Sequence, residues 1–442
     1  MLHLNEPLKY NILTYGCQMN VRDSETIAGL VEAMGYCATD EIGEADLIVF
    51  NTCSVRHSAE NRVFGKLGEI KKLKQKKPDM LIAFGGCMAQ IPDHKKRLKR
   101  QGVDIVFGTH NIHELPAAIA QVREHSSRIY NVWEKEGPII ENVPSIRKPG
   151  LKAYVNIMFG CNNFCSYCIV PYTRGRERSR RPENILQEIK TLGDQGYKEI
   201  TLLGQNVNSY YSSEKISYDF ADLLSDAAGI ESIRRIRFMT SHPKDISDKL
   251  IHTVANHEKL CKHIHMPLQA GSNKILGRMN RGYSREHYEA LISKIRSAVP
   301  GVAITSDLIV GFPGETEEDF RQTLEMIEKI RFDAAFTFMY SIRTGTRAAD
   351  FAEQVLLEEK KLRLSRLNEI QYGIAADINR SLIGTVQEVL VEGASKTDPA
   401  KLTGRTDNDR ILIFPGPQDL IGNFVKIKVT RVTTFSLFGE IA

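Results

Sequence analysis

The stretch KAYVNIMFGCNNFCSYCIVPYTRG (152–175) decides how the rest of the chain is read. Its first seven residues have the apolar, β-rich pattern of a strand. A loop follows at once, with Cys161, Cys165 and Cys168 spaced C-x3-C-x2-C. Three thiolates so close together can ligate three irons of a [4Fe–4S] centre and leave the fourth iron open. Zinc is the rival occupant, but it takes four ligands, usually in paired spacings, and no fourth cysteine lies nearby in the sequence.

Downstream, the strand-then-helix rhythm repeats. Strands are predicted at KEITLLG (198–204), RRIRFMT (234–240), KHIHMPL (262–268), VAITSDLIVG (302–311) and DAAFTFMYS (333–341). Helical patterns such as PENILQEIKTLGDQG (182–196) and EEDFRQTLEMIEKI (317–330) lie between them. Six β/α units predict an open or partial barrel, with sites at the carboxyl ends of its strands. A helix-rich stretch (355–382) follows. From Ile383 the period changes to two, with Gly, Asp and Pro turns. This predicts a small antiparallel barrel of OB-like kind.

Upstream, KYNILTY (9–15), RDSETIAGLVEAMG (22–35), ADLIVFNT (45–52), a helical run to Lys77, MLIAFGG (80–86) and VDIVFGT (103–109) alternate β and α. That order predicts a doubly wound parallel α/β domain. Cys17, Cys53 and Cys87 are 36 and 34 residues apart, yet each directly follows one of these strands. Parallel strands end at a common edge, so the three thiols are expected to meet there as a second cluster site. The plainer alternative is three small buried hydrophobes. EGPIIENVPSIRKPG (136–150) loses all periodicity and is predicted to be a linker. Cys37 has no such placement. Cys261, His263 and His265 would share a strand face, where core packing is the simpler expectation than a metal site.

The chain has 442 residues, 42% hydrophobic and 26% charged, which suits a folded protein of about three domains. Its longest apolar runs (47–50, 411–414) fall far short of the roughly 20 residues a membrane span needs. The first residues lack a signal-peptide pattern. A cytoplasmic, monomeric protein without membrane contact is expected. Its eight cysteines then point to metal binding or catalysis rather than disulfides. The net charge of +5 conceals a segregation: residues 1–61 carry −6 and residues 62–100 carry +9. KKLKQKK (71–77), KKRLKR (95–100) and TRGRERSRR (173–181) form basic clusters that fit phosphate, although lysine-rich helix faces are also commonly just solvated.

The motifs TYGCQMN (14–20), DSE (23–25), NTCSVR (51–56), GGCMAQ (85–90), CNNFCSYCIVPYTRGRERSR (161–180), GQNVNSY (204–210), HMPLQAGS (265–272) and GFPGETEEDF (311–320) span essentially the whole chain. Together they resemble the methylthiotransferases of the radical S-adenosylmethionine (SAM) superfamily. The final segment resembles the RNA-binding TRAM barrel. The resemblance implies an N-terminal methylthiotransferase domain (8–125), a partial (β/α)6 radical SAM core (147–379) and a TRAM domain (380–442). It implies two [4Fe–4S] clusters, an auxiliary one on Cys17, Cys53 and Cys87 and the radical SAM one on Cys161, Cys165 and Cys168. SAM would serve twice, as methyl donor to a sulfur held at the auxiliary cluster and as radical source for attack on a C–H bond. An external electron donor and a sulfur source are implied as well.

Among the branches, Gly16-Cys17-Gln18-Met19-Asn20 resembles the one acting on N6-isopentenyladenosine beside the anticodon of tRNA. The branch for threonylcarbamoyl-adenosine typically reads Gly-Cys-Lys-x-Asn, and that for a ribosomal-protein aspartate Gly-Cys-Pro-Lys-Asn. A rival of another class is a non-catalytic iron–sulfur protein that binds RNA or carries electrons. The resemblance places Tyr167 beside the cofactor adenine, and Gly204, Gln205 and Asn206 at its methionine amino group. Asp307 and the GFPGE turn (311–315) are expected near the end of the fifth barrel strand. Arg174, Glu177, Ser179 and Arg180 are candidates to fix cofactor or phosphate oxygens. Two departures stand out. Ala270 replaces a common Ser, and the tail (381–442) has zero net charge, so its RNA contacts are expected to be local, at Lys396, Lys401, Arg405 and Arg410.

Overall fold

The computed structural model describes residues 7–54, 57–212, 214–215 and 217–442; Val55 and Arg56 of the NTCSVR motif lie outside them. The first sheet is built from β1 (Lys9–Tyr15), β2 (Cys37–Ala38), β3 (Leu47–Thr52), β4 (Leu81–Gly86), β5 (Ile105–Phe107) and β6 (Ile129–Asn131). The order is β2-β1-β3-β4-β5-β6, and every pair is parallel. Four helices connect them: α1 (Gln18–Glu32), α2 (His57–Lys76), α3 (Pro92–Arg100) and α4 (Leu115–His125). Alternate residues of β3 and β4 serve opposite faces. Ile48, Phe50, Ile82 and Phe84 pack with Val63, Leu67 and Ile70 of α2, while Leu47, Val49, Leu81 and Ala83 pack with Ile27 and Val31 of α1 and Ile119 of α4. Burial on both faces explains why these strands are unbroken apolar runs. The sheet's sixth strand lies beyond residue 125, the edge expected from sequence.

The barrel strands are β7 (Lys152–Asn156), β10 (Glu199–Leu203), β11 (Arg235–Phe238), β12 (His263–His265), β13 (Ala303–Val310) and β14 (Ala334–Met339). A short antiparallel pair, β8 (Met158–Phe159) and β9 (Arg178–Ser179), clasps the cysteine loop at its base. β7, β10 and β11 form one parallel sheet and β12, β13 and β14 another. A parallel bridge from Ile236 to Leu260 joins the two into a six-stranded wall. No ladder joins β14 to β7 among the described residues, so the barrel is open there. Side-chain parity divides it cleanly. Val155, Ile200, Leu202, Ile236, Ile264, Ile304 and Leu308 face outward into the core under the helices. The opposite parity, Tyr154, Glu199, Arg237, His265 and Asp307, faces a polar lumen.

The helices around this wall are α5 (Val170–Arg174), α6 (Pro182–Asp194), α7 (Phe220–Ala228), α8 (Asp248–Asn256), α9 (Asn273–Arg278), α10 (Arg285–Ala298), α11 (Glu317–Ile330) and α12 (Leu357–Arg380). Among the described residues, no helix is long and apolar enough to cross a membrane.

The last five strands, β15 (Val386–Ala394), β16 (Leu402–Thr406), β17 (Ile411–Phe414), β18 (Phe424–Val432) and β19 (Ser436–Ile441), close into a barrel of order β15-β16-β17-β19-β18. Four of its ladders are antiparallel, as expected of a small OB-like barrel, and one pair, β17 with β19, is parallel. Its 406–410 turn caps the amino-terminal end of the larger barrel. Arg237 donates to the Asp407 and Thr406 carbonyls at 2.7 and 2.6 Å, and the Lys262 amide donates to Asp407 Oδ2 at 2.9 Å. Arg410 pairs with Asp333, and Arg405 Nη1 donates within its own turn to Asp409 Oδ1 at 3.1 Å. Arg405 and Arg410, expected as RNA contacts, therefore fasten this turn and dock the small barrel. Their charges meet carboxylates of the protein itself.

Candidate active site

Register brings the dispersed cysteines together. Tyr15, Thr52 and Gly86 are cross-strand partners on the adjacent strands β1, β3 and β4. Cys53 and Cys87 are the next residues after their strands, and Cys17 is one further. Cys17 caps α1: its amide donates to Asn20 Oδ1 at 3.3 Å, and Asn20 Nδ2 reaches Asn51 Oδ1 at 3.1 Å and the Thr52 carbonyl at 3.2 Å. A buried amide network thus ties the first cysteine's turn to the end of the second cysteine's strand. Gly86, before Cys87, has φ +88°, and a Cβ there would lie 2.3 Å from the Thr52 carbonyl oxygen. Only glycine permits that close approach.

The loop trio sits at the mouth of the larger barrel. Gly160 (φ +80°) starts the loop, where a Cβ would meet the Arg176 carbonyl oxygen at 2.0 Å. Burial, aided by the neighbouring Cys165, pushes Cys168 up to about 12, and burial likewise pushes Cys161 up to about 11. A cationic iron–sulfur group bound here would offset that cost of ionisation. None of the eight cysteines is in a disulfide. Among the described residues, no three His, Cys, Asp or Glu side chains are gathered closely enough to hold a metal ion. His263 and His265 do share a face, but both bond to Thr305 Oγ1, at 2.9 and 3.0 Å. Cys261 is simply buried.

Two arginines link the trios at the junction of the first two domains. Arg174 is buried and pairs with Asp23 at 2.7 Å. Burial opposes its charge, but Asp23, Cys87 and Cys17 outweigh that and hold its pKa well above the ordinary value. Arg343 donates to the Ser54 carbonyl at 2.5 Å and lies within electrostatic reach of both Cys168 and Cys53. Gln205 bonds Met19 Sδ and accepts from the Gly160 amide at 2.5 Å. The QMN and GQN motifs and the cysteine loop are therefore in direct contact.

The remaining expected residues divide in two. Tyr167 packs edge-on to Phe312 at 6.5 Å, Gly204 abuts Met158, and Asn206 is buried with its Nδ2 2.8 Å from Asp245. Asp307 is half-exposed in the lumen, 3.6 Å from His265. Glu315 of the GFPGE turn accepts from the Gly311 amide at 2.8 Å and pairs with buried Arg363 at 2.7 Å. Arg180, in contrast, is engaged by Glu141 at 2.8 Å and Glu188 at 2.7 Å beside the linker. Glu177 braces the loop by accepting from the Asn162 amide, and Ser179 accepts from the Tyr211 amide. Ala270 is fully buried among Ile275, Leu276, Met279 and Phe312.

Two site residues escape sequence reasoning. Arg281 is 5% exposed and donates to Cys165 Sγ at 3.1 Å and to the Pro267 carbonyl at 3.0 Å. Arg343 joins the trios as described. Neither belongs to a motif with cysteine spacing, so no local signal marks them.

Comparison with known proteins agrees with this architecture. The Radical SAM superfamily matches residues 155–327, the uncharacterized protein family UPF0004 residues 9–108, and the TRAM domain residues 380–442. The superfamily description carries with it SAM and an iron–sulfur cluster. The radical SAM methyltransferase TsrM of Kitasatospora setae shares the fold, with a TM-score of 0.59 at 13% identity over 87% of this chain and 80% of that one. Full-length relatives are far nearer. Proteins named tRNA-2-methylthio-N(6)-dimethylallyladenosine synthase are 66% identical in Syntrophomonas wolfei (99% of this chain, 98% of that protein) and 53% identical in Carboxydothermus hydrogenoformans (97% and 98%). The chain belongs to the tRNA-2-methylthio-N(6)-dimethylallyladenosine synthase family.

Proposed function

We propose that the protein methylthiolates C2 of N6-isopentenyladenosine next to the anticodon in tRNA, using SAM and two [4Fe–4S] clusters. The observation that supports this reading is that Arg343 lies within electrostatic reach of both Cys168 and Cys53, while Arg174, close after the cysteine loop, lies within reach of Cys87 and Cys17. When bound, the clusters and SAM would supply one-electron cleavage of a sulfonium and a sulfur to transfer, chemistry that an aromatic C–H without acidic proton or leaving group requires.

The chain's own residues hold the parts. Cys161, Cys165 and Cys168 would ligate the radical SAM cluster and Cys17, Cys53 and Cys87 the auxiliary one. Tyr167, Gly204, Gln205, Asn206 and Asp307 would line the cofactor. Arg174 and Arg180 act as positioning residues, through Asp23 and through Glu141 and Glu188. The exposed basic faces of α2 and α3 suit the anticodon stem-loop backbone, with the target base turned out of its stack. An electron donor and a sulfur source act from outside, and a monomer suffices.

Nucleoside analysis of tRNA from a deletion strain tests the reading. Loss of 2-methylthio-N6-isopentenyladenosine is expected; unchanged tRNA overturns it. Reconstituted protein given dithionite and SAM should release 5′-deoxyadenosine, which separates the enzyme from a passive iron–sulfur protein.

A further inference from the structure

β14 carries an anomaly. Ala335 and Met339 pack into the core under the helices, and Thr337 Oγ1 bonds Asn368 of α12 at 2.7 Å. Strand alternation therefore turns Phe336 and Phe338 the other way, into the barrel lumen. There Phe336 is 54% exposed and Phe338 40% exposed. The lumen next to Phe336 is mainly polar. Phe336 stands opposite Asp307 in the ladder and Phe338 opposite Ile309, and the Phe336 ring meets His265 edge-on at 6.0 Å. Both rings lie on the strand that borders the barrel's open side. The chain beyond them continues directly to Arg343 between the cysteine trios.

Two large apolar rings left in water beside polar groups form an amphipathic surface, and burying them would be favourable. A ligand that satisfies it has a polar heterocycle for His265 and a short hydrocarbon branch for the rings. We infer that Phe336 and Phe338 form the seat for the isopentenyl group of the target base, making β14 the specificity element of the site. This rests on the function proposed above and names the part of the substrate it reads. The same surface disfavours a threonylcarbamoyl group, whose carboxylate would be desolvated against two rings and would face the Asp307 carboxylate.

The test uses cluster-loaded protein and anticodon stem-loop RNAs carrying either N6-isopentenyladenosine or plain adenosine beside the anticodon. Wild-type protein should prefer the isopentenyl RNA by about 10- to 100-fold, the discrimination that a few apolar carbons provide. Phe336→Ala with Phe338→Ala should reduce that preference to about two-fold by weakening the isopentenyl RNA alone, with affinity for SAM and for the adenosine RNA kept. Phe338→Leu, which retains apolar area, should keep most of the preference. Because both rings are exposed, neither change removes core packing; circular dichroism and iron content check this directly. An unchanged preference in the double variant, an equal loss for both RNAs, or a loss of SAM affinity in its place would each overturn the inference while leaving the proposed function standing. A wild-type protein that shows no preference, together with unchanged tRNA in the deletion strain, overturns both.

Discussion

Replacing Asp23 by Asn would leave the Arg174 guanidinium charged and without its carboxylate in a site where both side chains are about 5% exposed (5% and 6%). The pair spans 151 residues and links α1 of the first domain to α5, just after the cysteine loop. Removing one partner of a buried pair costs about 3–5 kcal/mol, because the remaining charge is stranded. An exposed pair costs about 1 kcal/mol or less. The chain's one tryptophan, Trp133, is a convenient probe: its ring packs on His113 at 5.4 Å, and its carbonyl accepts from Gln90 at 3.0 Å. Urea unfolding followed by Trp133 fluorescence should show the Asp23→Asn midpoint lowered by about 2 M, for a slope of about 2 kcal/mol per M. Adding Arg174→Met should recover most of the loss, since the stranded charge goes too. Lys190→Ala, which removes an exposed pair with Asp194, should move the midpoint little. A cost below about 1 kcal/mol for Asp23→Asn would refute the idea that this ion pair is a buried pin between the domains.

Three further outcomes are expected. Glu188 is held down from 4.5 to about 2: burial opposes its charge, but Arg180, Arg22 and Arg147 outweigh it. Its contribution, about 3 kcal/mol, is present above pH 4.5 and lost as the pH falls toward 2, so Glu188→Gln should flatten acid unfolding in that window. Arg281→Met removes a cation touching Cys165 and should make the loop cluster harder to reduce, by about 2 kcal/mol or roughly 90 mV in an EPR titration; an unchanged midpoint contradicts a tuning role. Changing Cys161, Cys165 and Cys168 to Ala should lower iron from about eight to about four per chain and abolish 5′-deoxyadenosine, whereas Ala at Cys17, Cys53 and Cys87 should lose the same iron yet keep SAM cleavage. Equal loss of cleavage in both would argue against separate sites.

Much of the fold was legible because local patterns record which face of an element is buried. The unbroken LIVFNT and LIAFGG runs signalled strands covered on both sides, and the six alternations after Lys152 signalled the barrel. Cysteines at strand ends were legible for the same reason, since parallel strands must finish at one edge. The parallel pairing of β17 with β19 was not, because a period of two carries no strand direction.

The sequence alone determined the element types, the carboxyl-edge placement of six cysteines and the chemistry they favour. Tertiary structure alone decided that β1, β3 and β4 are neighbours and in register, and that Arg174 meets Asp23 across 151 residues. It also tied Arg405 and Arg410 to carboxylates of the chain and left Phe336 and Phe338 in an open lumen. Periodicity is set by hydrogen-bond geometry over a few residues. Which faces dock, and which strand edge stays unpaired, depends on contacts between segments that can lie nearly 300 residues apart, as Ser54 and Arg343 do (a separation of 289).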